Sequence, residues 1–321
     1  MVKLAVIGCG NIAEFHINAM RAVGFSIVSI AARLNSSNVE AFSKNNNIQK
    51  VYKNPLDLLN SSSEWDALLL LTPASVMVDY LKLVAPLMKP ILVEKPVADN
   101  HIDLQSVIKY KNIRVAYNRR FYSGVEFAKI FIQSNPRSLI KVTIPEYRKD
   151  PEHNIEFPNR LPAMTYENSV HILDIVNYIS GEVEWDYLKN IKDDNKFIAL
   201  LAIGRGSSGA TIQLDSYYNA SDNFSINIFS DNGRVEMKPI EVTRFFKGME
   251  VNEPTEEIPI RVYSPKIENK IIDMPEQGHK PGFLGQAQDF MNFCTNDKDM
   301  CIGANVIDAY NALKLAHSLK K

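Results

Sequence analysis

Lys3 to Ile7 is a continuous apolar run. A glycine-rich turn follows at Gly8 to Asn11, and then Ile12 to Val23 carries apolar residues at helical spacing, closed by Gly24. The strand-then-helix rhythm repeats. Ser26 to Ala31 reads as a strand, Ser36 or Ser37 caps a helix to about Lys44, and Asn54 with Pro55 at the first helical position opens a short helix. Ala67 to Leu71 is a strand stopped by Thr72 and Pro73, and Val76 to Met88 is helical. Ile91 to Val93 is a strand, Ile102 to Tyr110 a helix and Ile113 to Ala116 a strand. Strands that are apolar on both faces and alternate with helices predict a doubly wound parallel sheet, an α/β domain over residues 1–118.

Beyond Asn118 the rhythm changes. A helix from about Tyr122 to Gln133 leads to a strand at Leu139 to Ile144, a polar loop, and a helix from about Glu167 to Ile179 closed by Gly181. Strand-like segments then come in series: Phe197 to Ile203, Ala210 to Tyr217, Phe224 to Phe229, Arg234 to Lys238 and Glu241 to Phe246. Asp231-Asn232-Gly233 marks a hairpin between two of them. This predicts an α+β second domain, residues 119–321, with a large, mostly antiparallel sheet. Its terminal helices, Phe283 to Phe293 and Asn305 to Leu319, are candidates to pack back on the first domain.

Length agrees with two domains, because 321 residues exceed the roughly 250 to 300 at which one core stops growing. Composition narrows the classes. The chain is 45% apolar and 23% charged, with 36 basic and 37 acidic side chains, so neither the basic excess of a nucleic-acid binder nor the charge of a disordered chain is present. Cys9, Cys294 and Cys301 are too few for a disulfide framework. No apolar stretch approaches the roughly 18 to 20 residues of a membrane span, and Met1 to Ile7 lacks a signal-type core. A cytoplasmic, soluble protein with no nucleic-acid or membrane partner is expected.

Gly8-Cys9-Gly10-Asn11-Ile12-Ala13 is a G-x-G-x-x-A loop between a strand and a helix. The first glycine permits the tight turn and the second lets a pyrophosphate approach the backbone. Small Ala13 lets helix and strand pack, and the helix amino terminus faces the phosphates. A Rossmann-type nicotinamide cofactor site is therefore expected at Gly8, Gly10, Asn11, Ile12 and Ala13. The second strand ends in Ala32-Arg33-Leu34-Asn35-Ser36-Ser37, with no acid for the ribose hydroxyls of NAD. Arg33 and Ser36 offer a cation and a hydroxyl suited to a 2′-phosphate, so NADP is favoured, with NAD as the other possibility.

Ile91-Leu92-Val93-Glu94-Lys95-Pro96 places a lysine at the carboxyl edge of a parallel strand, where open sheets bind ligands. The triplet alone fits an exposed ion pair. Together with the glycine loop, Thr72-Pro73 after a central strand and a second antiparallel domain, the chain resembles the Gfo/Idh/MocA family of sugar oxidoreductases. The resemblance implies that Lys95 is catalytic and also touches cofactor and substrate, that Lys95-Pro96 is cis, and that Thr72, Pro73 and Glu94 lie at the cofactor. Tyr117-Asn118-Arg119-Arg120-Phe121 is similar to the segment that joins the domains in members linked to polysaccharide and nucleotide-sugar pathways. Asn118, Arg119 and Arg120 at that boundary are candidates to face substrate.

Glu167, His171 and Asp174 share a helix face at i, i+4 and i+7 spacing. On its own this stripe fits a helix-face ion pair or a metal site, but no second cluster completes a coordination shell, so no metal is expected. The family's acid-x-x-x-His signature matches, with Glu167 where Asp is commoner. The resemblance implies that His171 accepts the substrate proton, that Lys95 shares or relays it, and that Glu167 orients the site. Met77 stands about where many members have histidine. Arg148 and Arg160, with His153 in the loop from Tyr147, are candidates for a substrate wall, joined by Asp174. The expected activity is NADP-dependent hydride transfer at a carbinol or ketone carbon of a sugar or nucleotide-sugar derivative, by a homo-oligomer, dimer or tetramer. The alternative is a non-catalytic NAD(P)- or sugar-binding sensor of the same fold.

Overall fold

The structure is a computed structural model of the 321-residue chain. It describes residues 1–33, 36, 38–145, 169–193, 196–217, 220–295 and 301–319. The chain parts into two compact units. The first comprises Met1–Phe121, the helix start that ends at Asp174, and Pro275–His317.

In the first unit, β1 (Lys3–Ile7), α1 (Ala13–Ala22), β2 (Ser26–Ala31), α2 (Val39–Asn45), β3 (Lys50–Tyr52), α3 (Pro55–Asn60), β4 (Ala67–Leu70), α4 (Ala74–Val84), β5 (Ile91–Val93) and β6 (Ile113–Val115) follow in order. Five parallel pairings give the spatial order β3-β2-β1-β4-β5-β6, the doubly wound arrangement. Successive residues of β4 face opposite cores, Leu68 and Leu70 with Met77, Leu81 and Leu313, and Leu69 with Ile17, Met20 and Phe290. Three elements from the carboxyl end complete the unit. The helix Phe283–Cys294 packs with α1, and Ala304–Asn305 adds an antiparallel edge strand to β6 before the helix Val306–Ser318.

Three local expectations shift. α2 starts at Val39 with Asn38 as its N-cap residue, so Ser36 lies upstream of the cap. β3 was missed because three residues are too short to show a pattern. Residues 101–106 form 3-10 turns rather than an α-helix. The buried side chains there, Leu104 and Val107, are three apart, the repeat of a 3-10 turn.

The second unit contains α5 (Ser123–Ser134), β7 (Leu139–Thr143), the later turns of α6 (Ser169–Ser180), β8 (Val183–Asp193), β9 (Lys196–Gly206), β10 (Thr211–Tyr217), β11 (Ser225–Ser230), β12 (Gly233–Met237), β13 (Val242–Asn252) and β14 (Val262–Ile272). Its sheet runs β14-β13-β12-β11-β7-β10-β9-β8, antiparallel except between β7 and β10. β8 alternates Val183, Trp185 and Tyr187 with acids, a strand pattern that the sequence reading passed over, whereas β14 lacks regular alternation and contains Pro265, which an edge strand tolerates. The Phe245 ring meets Phe127 and Phe131 of α5, each at 5.7 Å between centroids. Asp273 accepts bonds from the Ser123 and Gly124 amides at the start of that helix. With the remaining elements in chain order, the carboxyl-terminal helices are α7 (Phe283–Cys294) and α8 (Val306–Ser318), and Ala304–Asn305 is β15.

Candidate active site

The site is assembled within the first unit, at the carboxyl ends of its parallel strands. Gly8 has φ +110°, and a Cβ there would stand 2.4 Å from the Leu71 carbonyl oxygen, so only glycine fits the turn. Its amide donates to the Ala31 carbonyl at 2.8 Å. At Gly10 a Cβ would meet nothing within 4 Å, so the backbone borders open space. α1 begins beside it with Ile12 as N-cap residue and no side-chain cap; the Ala13 amide donates to the Gly10 carbonyl at 2.9 Å, so an anion would meet the amides that follow it. Buried Ala13 sits against the sheet and exposed Asn11 lies on the open side. These residues fit a dinucleotide pyrophosphate.

At the end of β2, Arg33 is exposed. Ser36 approaches the glycine loop, with its Oγ 3.7 Å from the Cys9 sulfur. Thr72 and Pro73 end β4, and the Thr72 hydroxyl donates to the sulfur of Met77, which is fully buried in the core. Met77 therefore packs where a histidine would have to be solvated or paired.

Glu94 and Lys95 follow β5, and the Lys95-Pro96 peptide is cis. Both carboxylate oxygens of Glu94 are engaged by protein, Oε1 with His16 Nε2 at 2.7 Å and Oε2 with the Lys95 amide at 2.7 Å. Glu94 thus holds the lysine's backbone.

His171 is 6% exposed, and its ring meets Tyr117 edge-on at 5.7 Å. Burial, then the positive charges of Lys95 and Arg119, hold its imidazole well below the ordinary range, so it is neutral at pH 7. Among the described residues its Nδ1 has no hydrogen-bond partner. A neutral base near a lysine ammonium at the strand edge is equipped to take a proton from a hydroxyl whose oxygen the cation stabilises.

Asp174 and Arg120 depart from expectation. Arg120 donates to both oxygens of Asp174, at 2.8 and 2.6 Å, and lies 3.2 Å from Asp308. Both members of the pair are buried, so they tie α6 to the 118–121 turn and to α8 rather than facing a substrate. Burial pushes the Asp174 carboxyl up, to about 6, against the pull of Arg120. With Asp174 so occupied, the helix-face metal reading loses one ligand. Among the described residues no group of three or more His, Cys, Asp or Glu could hold a metal ion. Asn118 donates to the Pro281 carbonyl at 2.9 Å, and Arg119 is half-buried. Glu167, Arg148 and Arg160 lie outside the described residues.

Sequence reasoning missed His16 and Tyr117. His16 had a signal, a polar residue on the apolar stripe Ala13, Ile17, Met20 of α1. Tyr117 had none, since a buried tyrosine reads as core.

Residues 2–114 match the family described as "Oxidoreductase family, NAD-binding Rossmann fold". This domain is thus similar to the nucleotide-binding domain of the Gfo/Idh/MocA oxidoreductases. A likeness of fold to solved structures extends over the whole chain. A levoglucosan dehydrogenase in complex with NADH and levoglucosan superposes with TM-score 0.77 at 14% identity, over 99% of this chain and 96% of that one. A UDP-N-acetylglucosamine 3-dehydrogenase from Acidithiobacillus ferrooxidans gives 0.73 at 12%, over 99% and 96%. An oxidoreductase from Agrobacterium radiobacter with NAD+, L-tartaric acid and magnesium gives 0.73 at 15%, over 99% and 95%. At these identities the likeness concerns the fold. No curated protein matches the sequence. Among the described residues no helix is long and apolar enough to cross a membrane.

Proposed function

We propose that this protein is a Gfo/Idh/MocA-type oxidoreductase that interconverts a carbinol and a ketone on a sugar or nucleotide-sugar derivative, with NADP as the preferred cofactor. The observation that carries the reading is the buried, neutral His171 within the electrostatic reach of Lys95, in the unit that holds the glycine loop. Gly8, Gly10 and the first turn of α1 bind the pyrophosphate, while Arg33 and Ser36 meet the adenosine ribose and its 2′-phosphate. Bound nicotinamide supplies the hydride acceptor. In the oxidative direction His171 takes the hydroxyl proton, and the Lys95 ammonium stabilises negative charge on that oxygen as the carbonyl forms. Glu167 orients the histidine, and Arg119 with Arg148 and Arg160 contacts the substrate.

The sugar class is supported by the named substrates of two of the neighbours above, and NADP by the absence of an acid after β2. The neighbours' complexes hold NAD+ or NADH, so the cofactor choice is tested directly by fluorescence titration. NADPH should bind more tightly than NADH, and the reverse order overturns the NADP assignment. Turnover is read at 340 nm with levoglucosan, UDP-N-acetylglucosamine and a panel of free sugars. Lys95→Ala and His171→Ala should each lower it by about 10² or more with cofactor affinity retained. Full turnover in both variants rejects the mechanism, and cofactor binding without turnover on any sugar favours a sensor. A homo-oligomer is supported by Tyr187, Leu201, Ile203 and Tyr217, which leave apolar surface on the outer face of the second unit's sheet.

A further inference from the structure

The carboxylate of Glu94 joins two parts of the site that the chain separates by 78 residues. Its backbone amide continues the β4–β5 pairing by donating to the Leu70 carbonyl at 2.9 Å, which fixes where the side chain starts. From there Oε2 takes the amide proton of Lys95, and Oε1 reaches His16. A carboxylate only accepts, so His16 donates through Nε2. His16 is 1% exposed, sits one turn inside α1, and is pressed on its other side by the Phe283 ring of α7, 4.9 Å away between centroids. The Glu94 side chain is 12% exposed. In so dry a setting each partner would leave an uncompensated polar atom if the other were lost.

We propose that His16 and Glu94 are positioning residues that set the orientation of Lys95 by anchoring its backbone to the first turns of the dinucleotide-binding helix. The inference rests on the catalytic role proposed for Lys95, but its geometry stands apart from that role. Lys95 reaches the reacting oxygen on a long flexible stem, so its accuracy depends on a fixed backbone. The helix that receives the pyrophosphate and the residue that carries the ammonium are then registered to each other through one carboxylate. Neither His16 nor Glu94 has to touch the substrate for this.

The test separates position from chemistry. Lysines of the intact protein are reductively methylated with 13C-formaldehyde, and the dimethyl-Lys95 resonance is assigned by its loss in Lys95→Arg. In His16→Phe and Glu94→Gln the chemical shift and titration midpoint of that resonance should move. The first variant removes the donor, and the second sets an amide NH2 group or a weaker oxygen against the Lys95 N–H. His16→Gln, whose amide can still donate to Glu94, should restore the wild-type signal. With levoglucosan or UDP-N-acetylglucosamine, whichever is turned over, kcat should fall roughly tenfold to a hundredfold in His16→Phe and Glu94→Gln. The NADPH dissociation constant should stay within about twofold. An unchanged Lys95 resonance in both variants overturns the inference, and so does failure of His16→Gln to rescue while it folds normally. If instead Lys95→Ala retains full turnover, the proposed chemistry fails while the resonance still reports the anchor.

Discussion

The two sheets of this chain bury their strands differently. Leu68, Leu69 and Leu70 of β4 are all fully buried, because helices cover both faces of the parallel sheet. In β9, Leu200 and Ala202 are buried while Leu201 and Ile203 are 42% and 46% exposed. Both segments read as unbroken apolar runs, so a run of this kind records how much apolar surface a strand carries and not what covers it. Where cover lies within the unit, the run marks a core. Where it does not, the surplus on one face marks a surface left for something else.

The largest effect expected from this contrast is at Leu69. Leu69→Asp puts a charge where no water reaches and should cost more than about 4 kcal/mol, which abolishes folding as read by circular dichroism. Ile203→Lys, on the outer face of the other sheet, should leave the spectrum intact and lower the solution mass measured by light scattering. An unchanged mass would break the reading of that face as an assembly surface.

Ion pairs sharpen the same comparison. Arg120→Ala should cost about 3 to 5 kcal/mol in urea titrations, since it strands buried Asp174. Arg205→Ala, at the exposed pair with Asp186 in the second unit, should cost about 1 kcal/mol or less.

The smallest effect is the pH dependence carried by His171. Its folded imidazole titrates well below the ordinary 6.5, so the unfolded chain takes up the proton first and stability falls as pH drops through that range. Asp174 acts with the opposite sign. Its raised carboxyl contributes stability that is lost as pH rises from 3.8 through about 6. Subtracting the two proteins removes the carboxylate term: between pH 7.5 and 5.5, His171→Gln should lose less stability than the wild type. Parallel losses would show that His171 is not the group responsible.

Much of the site was legible because its chemistry is local. The G-x-G-x-x-A loop, the Glu-Lys-Pro triplet after an apolar strand, and a histidine one turn from an acid are all short patterns, and Gly8 shows why, since a single backbone approach at Leu71 dictates the residue. Asp174 was misjudged for the converse reason. On its helix it lines up with His171, but its partner Arg120 comes from 54 residues earlier, and that pairing turns a presumed substrate contact into a buried clamp. His16 and Tyr117 escaped notice because their importance lies in what faces them.

The alternation of apolar runs and helical spacing by itself determined a doubly wound cofactor domain followed by a largely antiparallel one, because strand and helix periods are written in neighbouring residues. The glycine loop and the lysine at a strand edge were determined in the same way. Only the tertiary structure decided that α7 and α8 return to the first unit, that Arg120 and Asp174 close on each other, and that Glu94 reaches back to His16. Such pairings depend on which distant side chains share a buried space, and hydrogen bonds and ion pairs gain their strength from that burial rather than from position in the chain.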